Sequence, residues 1–549
     1  MSKKLFIYIF SLIAFTQSQF AQKQNDIYYE IAKSIDLFGR VYKEITLRYL
    51  EEIDPREFMI AGIEGMLNTL DPYTTYIDEA NQKDIDLITT GKYGGIGATI
   101  GLRNDKITVV DLIEGYSAQR QGLRIGDVIV KIDSIVVGKN NYDQLSLFMK
   151  GEPGTLVAVT VQREAVEGDL IFNLIREEIQ IKNLSFYGFL PEGSNNVYLK
   201  LSGFSRTAGE EIKDAILELR KQRKIESIIL DLRGNPGGLL DAAISVADKF
   251  LKKDQLIVSV VGRDTNSIQE YYSVEQPIAG DADLIVMIDE GSASASEIVA
   301  GAIQDHDRGV ILGSSSFGKG LVQNVVPLSA STSLKITTGK YLTPSGRSIQ
   351  KFNNADKKIV LKSLLENAIE EYKTDGNRSV YSGGGIEPDT IITNNSGSEL
   401  VRNLLAQGCF FKFATNYFNT NQIISWDELN HDEVFDSFKN YVSVSDIKLY
   451  YKVERIIEQL KTLLQTENIN GEILDKISEV EIRLSEIRNE ELDKYKDDVL
   501  AEIHQEISAR IEGRLGRIKT ALNYDNQLNS AIEIIKSSEK YKQILALAE

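Results

Sequence analysis

Ile228-Ile-Leu-Asp-Leu-Arg-Gly-Asn-Pro-Gly-Gly238 is an apolar run that stops on a glycine-rich loop, and the same figure returns twice downstream. Leu284-Ile-Val-Met-Ile-Asp-Glu-Gly-Ser-Ala-Ser-Ala-Ser296 repeats it with serines in the loop, and Val310-Ile-Leu-Gly-Ser-Ser-Ser-Phe-Gly-Lys-Gly320 repeats it with a lysine. Short continuous apolar runs bounded by turn residues read as buried strands. Stretches of helical period lie between them: Ala208 to Arg220, Leu239 to Phe250 and Ser294 to Gln304. Val197 to Leu201 adds a strand at the front. Alternating strand and helix predicts a layered α/β domain with parallel pairings. In such a sheet the loops that follow the strands emerge at its carboxyl edge, where ligands bind. Three separated segments can therefore converge on one site.

The flanks read differently. Ile31, Ile35, Phe38, Val41, Ile45 and Tyr49 recur at helical spacing, Asp54-Pro55 opens a second helix, and Leu70-Asp-Pro-Tyr73 closes the segment as a turn. From about residue 90 short strands and glycine turns take over, with Lys106 to Val110, Val128 to Ile132 and Leu156 to Val161 extended and Asn141 to Met149 a short amphipathic helix. After Asp389 the chain is helical and acidic; Ile447 to Leu464 and Ile473 to about Ile518 carry apolar residues at i, i+3, i+4 and i+7. A helical bundle or stalk explains that tail without any chemistry.

The 549 residues make about three or four domains. A net charge of −18 argues against nucleic acid as a partner, since phosphates demand a basic patch. One cysteine, Cys409, excludes an intrachain disulfide and a cysteine zinc cluster. The three histidines, His306, His431 and His504, are too scattered for a His-rich metal site, so no metal or other cofactor is expected. Lys3 and Lys4 precede the apolar run Leu5 to Phe15 and a small-residue exit ending at Ala21, the pattern of a secretory signal peptide over residues 1–21. An exported protein is expected, in the bacterial periplasm or cell envelope, with no integral membrane segment after cleavage.

Ser292, Ser294 and Ser296 open a helix, where free N–H groups and the positive dipole end favour a developing oxyanion. Gly237 and Gly238 offer further unobstructed N–H groups. A serine nucleophile needs a base. His306 lies ~18 Å along the same helix at 1.5 Å per residue and reads as a surface histidine. Lys319 sits on the correct edge among Phe317, Gly318, Gly320, Leu321 and Val322, whose apolar or small side chains suit the desolvation that a neutral lysine base requires.

Gly291-Ser-Ala-Ser-Ala-Ser-Glu-Ile-Val-Ala-Gly-Ala-Ile-Gln-Asp305, Phe317-Gly-Lys-Gly-Leu-Val-Gln323, Asp231-Leu-Arg-Gly-Asn-Pro-Gly-Gly238 and Tyr341-Leu-Thr-Pro-Ser-Gly-Arg-Ser-Ile-Gln350 resemble the carboxyl-terminal processing peptidases, exported endopeptidases with a Ser–Lys dyad. The resemblance covers roughly residues 35–395. It implies Ser294 as nucleophile, Lys319 as base and Gln323 as the residue that orients the lysine. It also implies an oxyanion hole from the N–H of Ala295 and one from Gly237 or Gly238. Asp305 matches an acidic position once proposed for a triad, but reads as structural. Residues 90–165 resemble a PDZ domain, with Tyr93-Gly-Gly-Ile-Gly-Ala-Thr-Ile100 as its carboxylate-binding loop and strand. Gly95, Ile96, Gly97, Ala98 and Ile100 would hold a peptide C-terminus as an added strand, and Leu145, Phe148 and Met149 would line a pocket for its apolar side chain.

The expected architecture is α/β multidomain: signal peptide 1–21, helical segment 22–88, β-rich PDZ domain 89–165, crotonase/ClpP-like α/β protease core 166–395 and helical extension 396–549. The expected partners are protein substrates with free apolar C-termini. Two features depart from compact members of the family. Charged residues are interposed over 351–382, and for the tail the resemblance leaves three roles open: capping the protease, binding an adaptor, or self-association. A catalytically idle PDZ scaffold is the competing reading; the joint presence of Ser294 and Lys319 counts against it. A crotonase-like acyl-CoA enzyme is a third, disfavoured by the PDZ segment and Lys319.

Overall fold

The computed structural model describes residues 3–79, 89–103, 105–263, 268–351, 369–393, 399–421, 423–445, 451–467 and 471–545, with side chains from residue 26. The described residues divide into two compact units, one formed by residues 3–77 and 323–337 and the other by the rest. In the first unit, helix α1 (Lys3–Arg48) is followed by α2 (Pro55–Leu67). Pro55 opens α2 as the sequence predicts, and Asp54 caps it by accepting the N–H groups of Arg56 and Glu57 at 2.7 and 2.9 Å. Tyr42 of α1 stacks on Phe58 of α2. The expected helical run to residue 88 is interrupted: Thr75–Ile77 is a strand, paired antiparallel with residues 333–335. Residues 80–88 lie outside the described residues. Among the described residues no helix is long and apolar enough to cross a membrane.

In the second unit, residues 98–175 form an antiparallel sheet around a core that includes Ile107, Val109, Ile129, Val159, Val161 and Leu174. This sheet runs past the boundary expected at residue 165, because strand Asp169–Ile175 pairs with Leu156–Gln162 along its whole length. The alternating apolar residues Leu170, Phe172 and Leu174 give that strand a buried face.

The α/β core is a six-stranded sheet whose spatial order is its chain order. The strands are β1 (Leu184–Phe189), β2 (Asn196–Leu201), β3 (Ser227–Asp231), β4 (Asp283–Ile288), β5 (Val310–Gly313) and β6 (Thr390–Ile391). Only the β1–β2 pair is antiparallel; the others are parallel, as the alternation predicts. Helices α3 (Ala208–Gln222), α4 (Leu240–Asp248) and α5 (Ala295–Asp305) complete the pattern. Parallel strands are stable when both faces are covered. Leu199, Leu201, Ile228, Leu230, Leu284 and Val286 pack with Ile212, Val246, Ile298 and Val299 of the three helices. The alternate residues, Tyr198, Ile229, Ile285, Met287, Val310 and Leu312, face the other way.

That second face is covered by the C-terminal end of the chain. Helices α6 (Gly513–Asn523), α7 (Asn526–Lys536) and α8 (Ser538–Ile544) place Leu522, Leu528, Ala531, Ile535 and Tyr541 on it. The Tyr541 hydroxyl accepts the Leu284 N–H at 3.0 Å, and burial pushes that hydroxyl up to about 12. The rest of the tail is a separate helical bundle around Phe410, Phe413, Phe438, Val499 and Ile503. A second sheet that the sequence pattern did not reveal pairs Leu256–Gly262 with Ile268–Tyr272 and with residues 339–342. Of the interposed stretch 351–382, residues 371–373 and 379–381 form a hairpin, and 352–368 lie outside the described residues.

Because Leu528 is buried against β-strand residues of this face, Leu528→Ala should cost about 2–5 kcal/mol of unfolding free energy with an unchanged denaturant slope. Urea unfolding followed by circular dichroism measures it; a cost near zero would mean that the tail is not part of the core.

Candidate active site

The three loops meet at the carboxyl ends of β3, β4 and β5. Ser294 stands at the mouth of α5 with φ +54 and ψ −108, a conformation L residues rarely adopt, and is 9% exposed. Its position puts Ala295 at the first turn of the helix, where the N–H has no intrahelical acceptor.

The buried carboxylate of Glu297 organises this corner. Its Oε2 accepts the N–H of Ser294 and the N–H of Lys319, each at 2.8 Å. Its Oε1 accepts the Ser316 hydroxyl at 2.5 Å and the Gly318 N–H at 2.7 Å. One side chain thus binds the serine segment to the lysine loop through main-chain groups. Burial pushes the Glu297 carboxyl above its ordinary value, and the four hydrogen bonds oppose that rise. Three of the donors are amides, and the Ser316 oxygen already accepts the Ile386 N–H at 2.7 Å. All four partners are placed to donate, the arrangement that suits the carboxylate form.

Lys319 is half-buried in a loop pinned on both sides. Gly318 has φ +88, and a Cβ there would stand 2.4 Å from Lys351 Cβ. The Gly318 carbonyl accepts the Lys351 N–H at 2.8 Å, and the Gly320 N–H donates to Gln350 Oε1 at 2.9 Å. Leu321 and Val322 are buried as the sequence suggests. Phe317 is 47% exposed and does not help to dry the loop; its N–H donates to the Ser292 carbonyl at 3.0 Å. Gln323 follows on the strand Leu321–Pro327 and belongs to the first compact unit.

The loop after β3 is fastened to the serine segment by Asn235, which is fully buried. Its carbonyl accepts the Ala293 N–H at 3.0 Å and the Ser296 hydroxyl at 2.9 Å. Its Oδ1 accepts the Gly237 N–H at 2.9 Å. That bond occupies the Gly237 donor, so the candidate oxyanion donors narrow to Gly238 and Ala295. Gly237 has φ +96, and a Cβ on it would lie 2.6 Å from the Ala293 carbonyl and 3.1 Å from Ser294 Cβ. Only glycine allows this approach.

The remaining sequence candidates fall as follows. His306 closes α5 at its far end, but it is not a surface residue. Its side chain is 8% exposed, with Nδ1 2.7 Å from Asp375 and Nε2 2.7 Å from the Leu256 carbonyl, partners supplied by segments distant in sequence. Asp305 is buried against Arg347 at 2.9 Å and is structural. In the β-rich region Gly97 has φ +80, and a Cβ there would meet Tyr116 Cβ at 2.4 Å. Ile96 is buried, and Gly95 leaves no room for a Cβ beside the Tyr93 ring. Ala98, Ile100 and Phe148 are half-buried at the edge of the core, whereas Leu145 and Met149 are inside it. Sequence reasoning overlooked Glu297 and Asn235. Ser294-Ala-Ser-Glu297 has the spacing of a capping box, the signal that could have exposed Glu297. Among the described residues no cluster of His, Cys, Asp or Glu could hold a metal ion.

Four family descriptions match consecutive parts of the chain. They are the activating protease CtpB N-terminal domain over residues 10–81, a PDZ domain over 94–173, peptidase family S41 over 195–359, and the C-terminal helical domain of probable PDZ-proteases over 400–535. The last gives the tail a relative that the compact family members do not suggest. A carboxy-terminal-processing protease of Bartonella bacilliformis is 37% identical over 62% of this chain and 77% of its own length. The carboxy-terminal processing protease CtpB of Bacillus subtilis is 32% identical over 58% of this chain and 66%, just under two thirds, of its own length. Among solved structures, a photosystem II D1 C-terminal processing protease is 27% identical over 65% of this chain and 86% of that chain, with a TM-score of 0.37. The chain belongs to the carboxy-terminal processing proteases of peptidase family S41, serine-type peptidases with a PDZ domain.

Proposed function

We propose that this protein is an exported endopeptidase that hydrolyses peptide bonds with Ser294 and Lys319, and that its PDZ domain selects substrates by a free, apolar C-terminus. The observation that carries the catalytic part is the shared Glu297 Oε2, which tethers the backbones of Ser294 and Lys319 to one atom. The strained φ of Ser294 supports the same reading, since such strain persists only where the surrounding structure over-determines it and clusters at active sites. Export is supported by the Lys3-Lys4 and Leu5 to Phe15 pattern. The domain limits expected from the sequence stand as the working division, with the PDZ sheet extended to Ile175.

Neutral Lys319 takes the hydroxyl proton of Ser294 as its oxygen attacks the scissile carbonyl. The oxyanion is held by the Ala295 and Gly238 N–H groups, and Gln323 orients the lysine. The ammonium form of Lys319 then protonates the leaving amine, which departs with the C-terminal fragment. Water, deprotonated by the lysine, attacks the acyl-enzyme ester, and the proton returns to Ser294. At the other site a terminal carboxylate meets the backbone of the Gly95–Gly97 loop while the peptide adds as a strand along residues 98–103. Adaptor binding or self-association through the tail bundle remains compatible with this scheme.

Ser294→Ala and Lys319→Ala should each lower kcat about 10⁴-fold or more without changing the circular dichroism spectrum, measured on an unfolded protein with an apolar C-terminus. Normal cleavage by folded Lys319→Ala would remove the lysine from the chemistry. Amidating the C-terminus of a peptide substrate should raise KM about tenfold or more and leave kcat nearly unchanged, since a lost hydrogen-bonded charge costs ~1.5–3 kcal/mol. Equal KM values for acid and amide would dismiss carboxylate recognition.

A further inference from the structure

Arg233 begins the loop that carries Gly237 and Gly238, and its guanidinium is 12% exposed with all five N–H groups engaged. Nε and Nη2 meet the fully buried Asp231 at 3.0 and 2.7 Å. The other edge of the fork is held by the C-terminal tail. Nη2 and Nη1 meet Asp525 at 2.5 and 3.1 Å, and Nη1 meets Gln527 Oε1 at 2.7 Å. Lys200 approaches Asp231 at 3.1 Å and also donates to the Arg233 carbonyl at 2.9 Å, and the Tyr198 hydroxyl donates to Asp231 at 2.6 Å. Two cations thus face two carboxylates, and Asp525 supplies the charge that closes the balance. Burial alone would raise the Asp231 carboxyl; Lys200 and Arg233 outweigh it and hold it well below the ordinary range.

We propose that Asp525, at the turn between α6 and α7, and Gln527, in the first turn of α7, are positioning residues for the reaction: they hold Arg233, and through it the loop that carries Gly237 and Gly238 beside the serine segment. The inference rests on the proposed role of that loop as an oxyanion hole. The geometry leads step by step. Arg233 donates its N–H to Asp231 Oδ1 at 2.9 Å, Gly234 donates to Asp289 at 2.7 Å, and Asn235 ties the next residues to Ala293 and Ser296. A loop fastened at its serine end by Asn235 and at its strand end by Arg233 has little freedom between. Asp525 joins the second fastening to the tail, 292 residues away in sequence. The tail is then more than a cover for the sheet.

Asp525→Asn is the informative variant. Asp525 also caps α7 by accepting the Leu528 N–H at 2.9 Å, and asparagine keeps that cap while removing the charge. Gln527→Leu is the second variant; it leaves the charge untouched and removes one hydrogen bond to the guanidinium, together with the one that Gln527 Nε2 donates to the Ile392 carbonyl at 2.5 Å. The full-length protein is assayed on a quenched-fluorescence peptide ending in a free valine carboxylate, beside wild type and Ser294→Ala. Hydrogen exchange of residues 233–239 is read in parallel. Asp525→Asn should lower kcat on the order of ten- to a hundredfold with KM within about twofold, and speed exchange of 233–239 while residues 98–112 are unchanged. Gln527→Leu should move both readouts in the same direction by less. Unchanged kcat or unchanged exchange in folded Asp525→Asn overturns the proposal. If Ser294→Ala cleaves as fast as wild type, the catalytic reading fails instead, and exchange alone still decides whether Asp525 holds the loop.

Discussion

The site depends on one buried carboxylate that must hold two strands of backbone at once. Glu297 is fully enclosed, and its four donors come from Ser294, Ser316, Gly318 and Lys319. An ionised carboxylate is expensive to bury unless its lone pairs are filled, and a set of main-chain N–H groups fills them without a counter-charge. The reverse also holds: those donors crowd at the carboxyl edge of the sheet because an acceptor waits for them. The serine segment and the lysine loop are therefore placed by the same desolvated group. The proposed proton transfer between Ser294 and Lys319 begins from backbones that share a partner, which limits the entropy still to be lost when the side chains meet.

A second constraint is the parallel sheet itself. Its strands are apolar on both sides, so the protease core is complete only when each face is covered. Helices α3 to α5 cover one face and helices α6 to α8 the other. The tail closes the hydrophobic core and, through Asp525, reaches the loop at the carboxyl end of β3. Covering the sheet gives a physical reason for a chain that carries a C-terminal helical domain after its peptidase domain.

Much of this was legible. Ile228 to Leu230 and Leu284 to Ile288 are continuous apolar runs because both faces are buried, and that makes strands and loops readable from the sequence. Ser294 and Lys319 stood out because their loops follow such strands. The antiparallel sheet containing Leu256–Gly262 was not legible: that strand is a largely buried apolar run without a glycine-rich loop after it, and its partner Ile268–Tyr272 is mostly exposed and carries no alternating pattern. The amphipathic face of Leu528, Ala531, Ile532 and Ile535 reads the same whether it meets another helix or a sheet, so the tail could be assigned helices but no partner. Arg233 was visible in its motif, yet its second carboxylate comes from the far end of the chain, a pairing no local spacing announces. Glu297 was readable as a helix cap; its other oxygen, turned to the lysine loop, was not.

Single-turnover acylation of Ser294 in Glu297→Gln enzyme tests the central claim most directly. Glutamine keeps the shape but replaces one acceptor oxygen with a donor, so it cannot satisfy both pairs of N–H and hydroxyl groups. If Glu297 holds the two segments in register, acylation, followed by the mass of the quenched enzyme, slows about tenfold or more while peptide binding to the PDZ domain is unchanged. Acylation at the wild-type rate in a folded Glu297→Gln protein would contradict the account.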